Sequence, residues 1–145
     1  MKIYTIGFTH KDARKFFNLI RNSGTKRLVD VRLNNVSQLA GFAKKQDLEF
    51  FLKELCGIDY VHVPDLAPTQ ALLKAYKNKE ISWDEYEKRF LELMETRKIE
   101  DHVSKEIISD GCLLCSEDQP HHCHRRLVAE YLKYHWGDIE IVHLA

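Results

Sequence analysis

The sequence lacks a net charge, a long apolar run and any internal repeat, and each absence narrows the kinds of protein that it can encode. Its 145 residues carry 22 basic and 22 acidic side chains besides eight histidines. Extended nucleic-acid binding needs a basic surface that releases counterions from phosphates, so this balance argues against it. No window approaches the ~20 apolar residues of a membrane span, and the first ten residues hold no signal-peptide core. We expect a soluble cytoplasmic protein with no membrane segment.

The sequence also lacks a regular spacing of its cysteines. Four cysteines at irregular intervals, in a chain without a signal peptide, are expected to be thiols or metal ligands and not a disulfide framework. No linker or low-complexity segment divides the chain, and a chain of this length can bury roughly two-thirds of its unfolded surface. We therefore predict a single domain over residues 1–145.

Short apolar runs alternate with helical periods along the chain. The apolar runs predict five strands, at about 3–6, 27–32, 59–63, 112–115 and 139–144. Apolar residues that recur at intervals of three and four predict helices at about 12–22, 46–56, 68–77, 83–97, 99–109 and 122–136. Strands separated mostly by helices pair in parallel through right-handed crossovers. We predict a three-layer α/β/α sandwich with a mostly parallel central sheet of about five strands.

The densest group of reactive side chains is the segment CLLCSEDQPHHCHRR at residues 112–126. It has the pattern of a strand, a polar loop and the first turn of a helix. In open parallel sheets, ligands bind beyond the carboxyl ends of the strands. This rule brings the segment together with Asp30 and Arg32 at the end of the second strand and with His62 of the third. The sequence therefore predicts one shared site at this edge of the sheet.

Two chemistries fit the start of the last helix. Cys123, beside His124 and Arg125 at a helix N-terminus, is expected to have a lowered pKa, because the helix dipole and the cations stabilise a thiolate. Cys123 and His124 are therefore candidate catalytic groups. The seven residues between the second and third cysteines of the segment can also fold back, and thiolates, imidazole and carboxylate all bind zinc or iron. The predicted metal ligands are Cys115, Glu117, Cys123 and His124.

The cysteines of the strand do not form a redox or zinc CxxC motif. Cys112 and Cys115 lie three apart on a strand, so they point to opposite faces, about 10 Å apart. Cys112 is expected to be a packed core thiol. A redox-sensing pair of Cys115 with Cys123 remains a further option. A phosphatase-like loop after Cys115 is disfavoured, because Glu117 and Asp118 would repel an anion.

Other candidate residues have both a structural and a functional interpretation. Asp30 and Arg32 share one face of a strand and can pair with each other, or Arg32 can offer its planar fork to a carboxylate or phosphate. His62 fits either a buried structural histidine or a catalytic one. The aromatic residues Trp83, Tyr86 and Phe90 are at helical spacing and are expected in the core. The predicted ligand-binding residues are Asp30, Arg32, His62, Glu117 and Arg125.

Four stretches of the chain together resemble one known family. They are TIG after the first strand, LVDVR, GIDYVHVPDLAPT and LLCSEDQPHHCHRRLVAEYL, and they resemble the family called domain of unknown function 488 over essentially the whole chain. Phe8 and Thr9 stand where that family commonly has histidine and serine. The resemblance implies an α/β sandwich and no particular reaction. It also implies a shared site at Asp30, Arg32, Cys115, Glu117, Cys123, His124 and Arg125.

Two functions of different classes follow from these residues. The leading hypothesis is an enzyme-like domain that binds a small anionic ligand of nucleotide or phosphate type, anchored by Arg32 and Arg125, with Cys123 or His124 reactive. It predicts that iodoacetamide alkylates Cys123 far faster than the first two cysteines of the chain. The alternative is a non-catalytic metal-binding or regulatory module that holds zinc or iron.

Overall fold

The sheet of this protein is all parallel and five-stranded. The computed structural model describes residues 1–34, 41–116 and 122–145. The strands are β1 (Lys2–Gly7), β2 (Arg27–Asp30), β3 (Asp59–His62), β4 (Gly111–Cys115) and β5 (Glu140–His143). They pair in the order β3-β2-β4-β1-β5, and each pairing is parallel. The predicted α/β sandwich is confirmed, and β4 lies at the centre of the sheet.

Seven α-helices connect these strands in the described part of the chain. They are α1 (Ala13–Ser23), α2 (Lys45–Phe51), α3 (Gln70–Lys77), α4 (Trp83–Arg97), α5 (Ile99–His102), α6 (Lys105–Ile108) and α7 (His124–Trp136). A π-helical turn, Leu52–Cys56, continues α2. None of the helices in the described ranges is long and apolar enough to cross a membrane.

The single helix predicted over residues 99–109 is wrong, because the structure has two short helices there. Val103 leaves the helical conformation at φ −86° and ψ 133°. Ser104 then starts a new helix, and its hydroxyl accepts a hydrogen bond from the Ile107 N–H at 3.4 Å. A serine side chain offers the backbone a cap in competition with a continuous helix, which explains the break.

The two faces of the sheet carry separate apolar cores. On one face Ile6, Leu28, Cys112 and Leu114 pack with buried residues of α1 and α2. On the other face Leu113, Cys115 and their neighbours pack with α4 and α7. Cys112 and Cys115 therefore point to opposite faces, as the sequence predicts. Cys112 is a core thiol, and its burial raises its pKa.

Backbone hydrogen bonds hold the carboxyl ends of the central strands level with one another. The Ser116 carbonyl, just after β4, accepts from the N–H groups of Phe8 at 3.3 Å and Thr9 at 3.0 Å, just after β1. The Val31 N–H, just after β2, donates to the Leu114 carbonyl at 3.1 Å. The loops that follow three strands therefore begin side by side, and this edge of the sheet holds the candidate site.

Gly111, at the start of β4, lies against the backbone of α6, so we expect Gly111→Ala to destabilise the fold. A Cβ there would lie 3.0 Å from the Ile107 carbonyl oxygen and 3.1 Å from that of Ile108. Backbone atoms cannot rotate away, so the free energy of unfolding should fall by about 2–3 kcal/mol in urea denaturation. The control is Gly24→Ala, at φ +80° with nothing within 4 Å, which should cost only about 1 kcal/mol. Equal losses in the two variants would contradict the packing explanation.

Candidate functional site

Cys115, Cys123 and His124 meet at the carboxyl end of β4 and are called here the Cys/His cluster. Their ligand atoms, two sulfurs and one imidazole nitrogen, all lie within 4.8 Å of one another, and the three side chains are buried. Cys115 ends β4, Cys123 is the N-cap of α7 and His124 is the first residue of that helix. The end of β4 and the start of α7 therefore lie together, as the sequence predicts.

A backbone carbonyl determines the tautomer of His124. Its Nε2 lies 2.6 Å from the Val31 carbonyl oxygen, and because a carbonyl only accepts, Nε2 must carry the hydrogen. The other nitrogen, Nδ1, therefore has the free lone pair. The Cys115 sulfur lies 3.3 Å from Nδ1 and 3.9 Å from Nε2, which places it over the face of the ring. Histidines that bind metals are commonly oriented by a bond from the other ring nitrogen, such as the one to Val31.

The predicted lowering of the Cys123 pKa is wrong. Burial raises the pKa of this thiol well above its ordinary value, and the hydrogen bond and charge of Cys115 raise it further. His124 and Arg125 lower it by less than these effects raise it. Only 2% of Cys123 is exposed, so the helix N-terminus is present but the thiol is largely shielded from water. Cys123 on its own is a protonated thiol and not the ionised nucleophile that the sequence suggests.

A cleft of about 180 Å³ opens above the Cys/His cluster. The three cluster residues form part of its lining, together with residues that follow β1 and β2 and residues of α3 and α4. Among the described lining residues, Arg32 and Lys77 are basic, and none is an aspartate or a glutamate. The cluster is therefore reachable from a small cleft whose described charged groups are basic.

Aromatic rings form one wall of this cleft. Trp83 stacks on Tyr86 with centroids 5.1 Å apart and on His122 with centroids 4.9 Å apart, and Tyr76 contacts the Trp83 ring edge-on at 5.5 Å. Tyr86 and Phe90 are buried in the core as predicted. Sequence reasoning missed that Tyr76, Trp83, Tyr86 and His122 also line a cleft, since helical periodicity does not distinguish a core face from a cleft wall.

Asp30 and Arg32 form a buried, two-pronged ion pair. Arg32 donates from Nε to Asp30 Oδ1 at 2.9 Å and from Nη2 to Oδ2 at 2.8 Å. The Tyr60 hydroxyl also donates to Asp30 Oδ2 at 2.6 Å, and Arg32 Nη2 reaches the Ala43 carbonyl at 2.8 Å. The structure therefore has the predicted ion pair. Arg32 still lines the cleft, and its guanidinium lies over the Phe8 ring at 5.4 Å.

The other predicted ligand-binding residues lie away from the described cleft lining or outside the described residues. His62 donates from Nε2 to the Arg32 carbonyl at 2.7 Å and so supports the backbone beside the cleft. Arg125 is completely buried, and neither it nor Asp30 is among the described lining residues. Glu117 lies outside the described residues. Ligand-binding roles for these residues stay predictions.

We expect Asp30→Asn to destabilise the protein, because it removes the charge that balances a buried guanidinium. Removing one partner of a buried pair typically costs about 3–5 kcal/mol, which chemical denaturation would measure. Tyr60→Phe is the matched control, since it removes one hydrogen bond to the same carboxylate and leaves the charges in place. Its cost should be about 1–2 kcal/mol. A loss for Asp30→Asn no larger than this would contradict a central role for the pair.

Comparison with known proteins agrees with the resemblance read from the sequence. The model of the family described as Domain of unknown function DUF488 matches residues 12–132. No curated protein and no solved structure matches the chain. The matched range includes Asp30, Arg32 and the whole Cys/His cluster, and it covers well over half of the 145 residues. The chain therefore belongs to the DUF488 family.

Proposed function

We propose that this protein binds a zinc or iron ion through Cys115, Cys123 and His124, at the floor of a cleft for a small anionic ligand. The observation that carries the proposal is the convergence of two sulfurs and one imidazole nitrogen within 4.8 Å. Thiolate and imidazole are the side chains that bind zinc most often, and iron accepts both.

The spacing of the cluster fits a metal ion after a small movement. Tetrahedral zinc, with bonds of about 2.3 Å to sulfur and about 2.0 Å to nitrogen, needs ligand atoms about 3.5–3.8 Å apart. Cys115 Sγ and His124 Nδ1 are 3.3 Å apart, and no pair in the cluster exceeds 4.8 Å. Side-chain rotations that close the widest pair by about 1 Å, together with a turn of the His124 ring that directs the Nδ1 lone pair at the ion, would complete the geometry.

The charge balance of the buried cluster also favours a divalent ion. Burial opposes the ionisation of Cys123, and two bare thiolates side by side would repel each other. A divalent cation neutralises both thiolates, so the complex of ion, two thiolates and neutral imidazole has no net charge. The Val31 carbonyl then serves as the group behind the ligand that keeps His124 oriented.

The fourth ligand determines which class of metal site this is. Structural zinc sites have four protein ligands, whereas catalytic ones have three and leave a position open. Glu117, which lies outside the described residues, is still the predicted fourth ligand and would make the site structural, as in the alternative hypothesis from the sequence. If the cleft supplies the fourth position, the ion acts as a Lewis acid on a ligand oxygen, as an enzyme requires.

Elemental analysis of protein purified without an affinity tag is expected to find about one zinc or iron ion per chain. Cys115→Ala should lose the ion, because the variant lacks one sulfur ligand. Cys112→Ala is the matched control, since that cysteine is on the same strand and also buried but faces the opposite core. It should keep the ion. Protein without metal that gains no thermal stability from added zinc or iron would contradict the proposal.

A second function, thiol chemistry by Cys115, is favoured by one contact. His124 Nδ1, the ring nitrogen that does not bond to Val31, lies 3.3 Å from Cys115 Sγ, and both residues line the cleft. A turn of the imidazole that directs the Nδ1 lone pair at the sulfur would let His124 take the thiol proton and activate the sulfur. It keeps the enzyme-like hypothesis of the sequence but replaces Cys123 by Cys115 as the nucleophile.

Iodoacetamide labelling of metal-free protein tests this second function. Cys115 should react faster than Cys56, although Cys56 is more exposed, because an imidazole lies beside the Cys115 sulfur and no histidine is bonded to the Cys56 sulfur among the described residues. His124→Ala should slow the labelling of Cys115 by at least about ten-fold. Peptide mapping by mass spectrometry gives both rates. Labelling of Cys115 no faster than that of Cys56 would contradict thiol catalysis.

A further inference from the structure

Tyr86 lines the cleft, and no hydrogen bond within the described part of the chain involves its hydroxyl. Only 2% of the residue is exposed, but its hydroxyl is not among the fully buried polar atoms that lack a partner. The hydroxyl oxygen is therefore accessible, and the cleft is the open space that Tyr86 lines. This phenol can donate a hydrogen bond to a molecule in the cleft.

Tyr86 lies on the same cleft as the Cys/His cluster and close to it. Its ring stacks on Phe90 with centroids 6.1 Å apart, and Phe90 contacts the His124 ring at 5.5 Å. Burial raises the pKa of Tyr86 most, and then the thiols of Cys115 and Cys123 and the phenol of Tyr76 raise it further. A molecule that accepts its hydrogen bond would therefore lie near the cluster.

Trp83 provides a stacking surface next to this donor. His122 is exposed, and its ring lies nearly parallel to the indole at an interplanar angle of 26°. A heteroaromatic ring therefore already fits against Trp83 inside the cleft. An exposed side chain changes rotamer readily, so a ligand ring can take the place of the His122 imidazole. Trp83 also stacks on Tyr86, so one small molecule can touch both residues.

The charge and size of the cleft narrow the ligand further. Arg32 is balanced by Asp30, whereas Lys77 is exposed and forms no ion pair within the described ranges. A negative charge on a ligand would therefore be attracted to Lys77, which lines the cleft. At about 180 Å³ the cleft is smaller than the roughly 300–1,000 Å³ of pockets for drug-sized ligands. The cleft therefore encloses a single ring system, and the rest of a larger ligand would extend outward, with its anionic group near the exposed Lys77.

We propose that the cleft binds a small aromatic anion whose ring replaces His122 on Trp83, whose oxygen accepts the Tyr86 hydrogen bond and whose charge lies toward Lys77. This proposal rests on the proposed function, because the ligand would lie in the same cleft. The side chains that would contact the ligand are not metal ligands. A nucleotide and an aromatic carboxylate both have this chemistry. Experiment can separate these two sources of the ligand.

Isothermal titration of the full chain with four probes tests the ligand class. Adenosine monophosphate and benzoate each combine a ring with an anionic group, whereas adenosine lacks the charge and inorganic phosphate lacks the ring. We expect one of the first two to bind, and the tighter of them identifies the source. Adenosine and phosphate should bind at least about ten-fold more weakly. Binding of phosphate as tight as that of either aromatic anion, or no binding by both aromatic anions, would overturn the proposal.

Three variants test the contacts with the probe that binds. Trp83→Leu should weaken binding by roughly ten-fold or more, and Tyr86→Phe by about ten-fold. His122→Ala should bind at least as tightly as the unaltered chain, because it removes a competing ring. Tyr134→Phe, at a position 85% exposed, is the matched control for the lost hydroxyl and should have no effect.

Metal content is measured in parallel on every variant. We expect Tyr86→Phe and Trp83→Leu to keep the metal while losing affinity for the probe, which separates the ligand site from the metal site. Unchanged affinity in both variants would overturn the ligand proposal even if the metal is present. A different result would overturn the metal centre alone. In that case the unaltered chain would hold no metal but would still bind the probe, and both substitutions would weaken that binding.

Discussion

The site depends on one hydrogen bond, between the imidazole of His124 and the carbonyl of Val31 at 2.6 Å. It joins the start of α7 to the chain that leaves β2, and it leaves Nδ1, 3.3 Å from Cys115 Sγ, as the imidazole nitrogen with a free lone pair. Because Val31 also donates its N–H to Leu114 of β4, the same residue links both strands and the helix. A metal centre and a thiol–imidazole pair both require this tautomer of the ring.

Two buried charged side chains beside the site form an ion pair. Asp30 and Arg32 neutralise each other inside the fold, so Arg32 contributes its shape and donors to the cleft wall more than it contributes a net charge. Burial also keeps the Cys123 thiol protonated. A buried cluster that disfavours isolated ions but accepts a neutral complex is suited to a cation that arrives together with deprotonation of its ligands.

The sequence correctly predicted features that depend on residues close together in the chain. The prediction failed for features that depend on tertiary contacts. The convergence of Cys115, Cys123 and His124 follows from a strand, a short loop and a helix start that are adjacent in sequence. The pKa of Cys123 depends instead on how completely other layers cover it, which no local motif encodes. The aromatic wall was missed for the same reason, since Trp83 belongs to a helix whose position over the strand ends is a property of the whole fold.

The cluster combines a local and a distant component. Cys115 and His124 are nine residues apart, so a short piece of nascent or unfolded chain can already enclose an ion. The Val31 carbonyl is 93 residues from His124 and reaches the imidazole only after the sheet has assembled. An ion captured early would therefore be held more tightly once folding is complete, and the difference in affinity would drive the chain toward the finished domain.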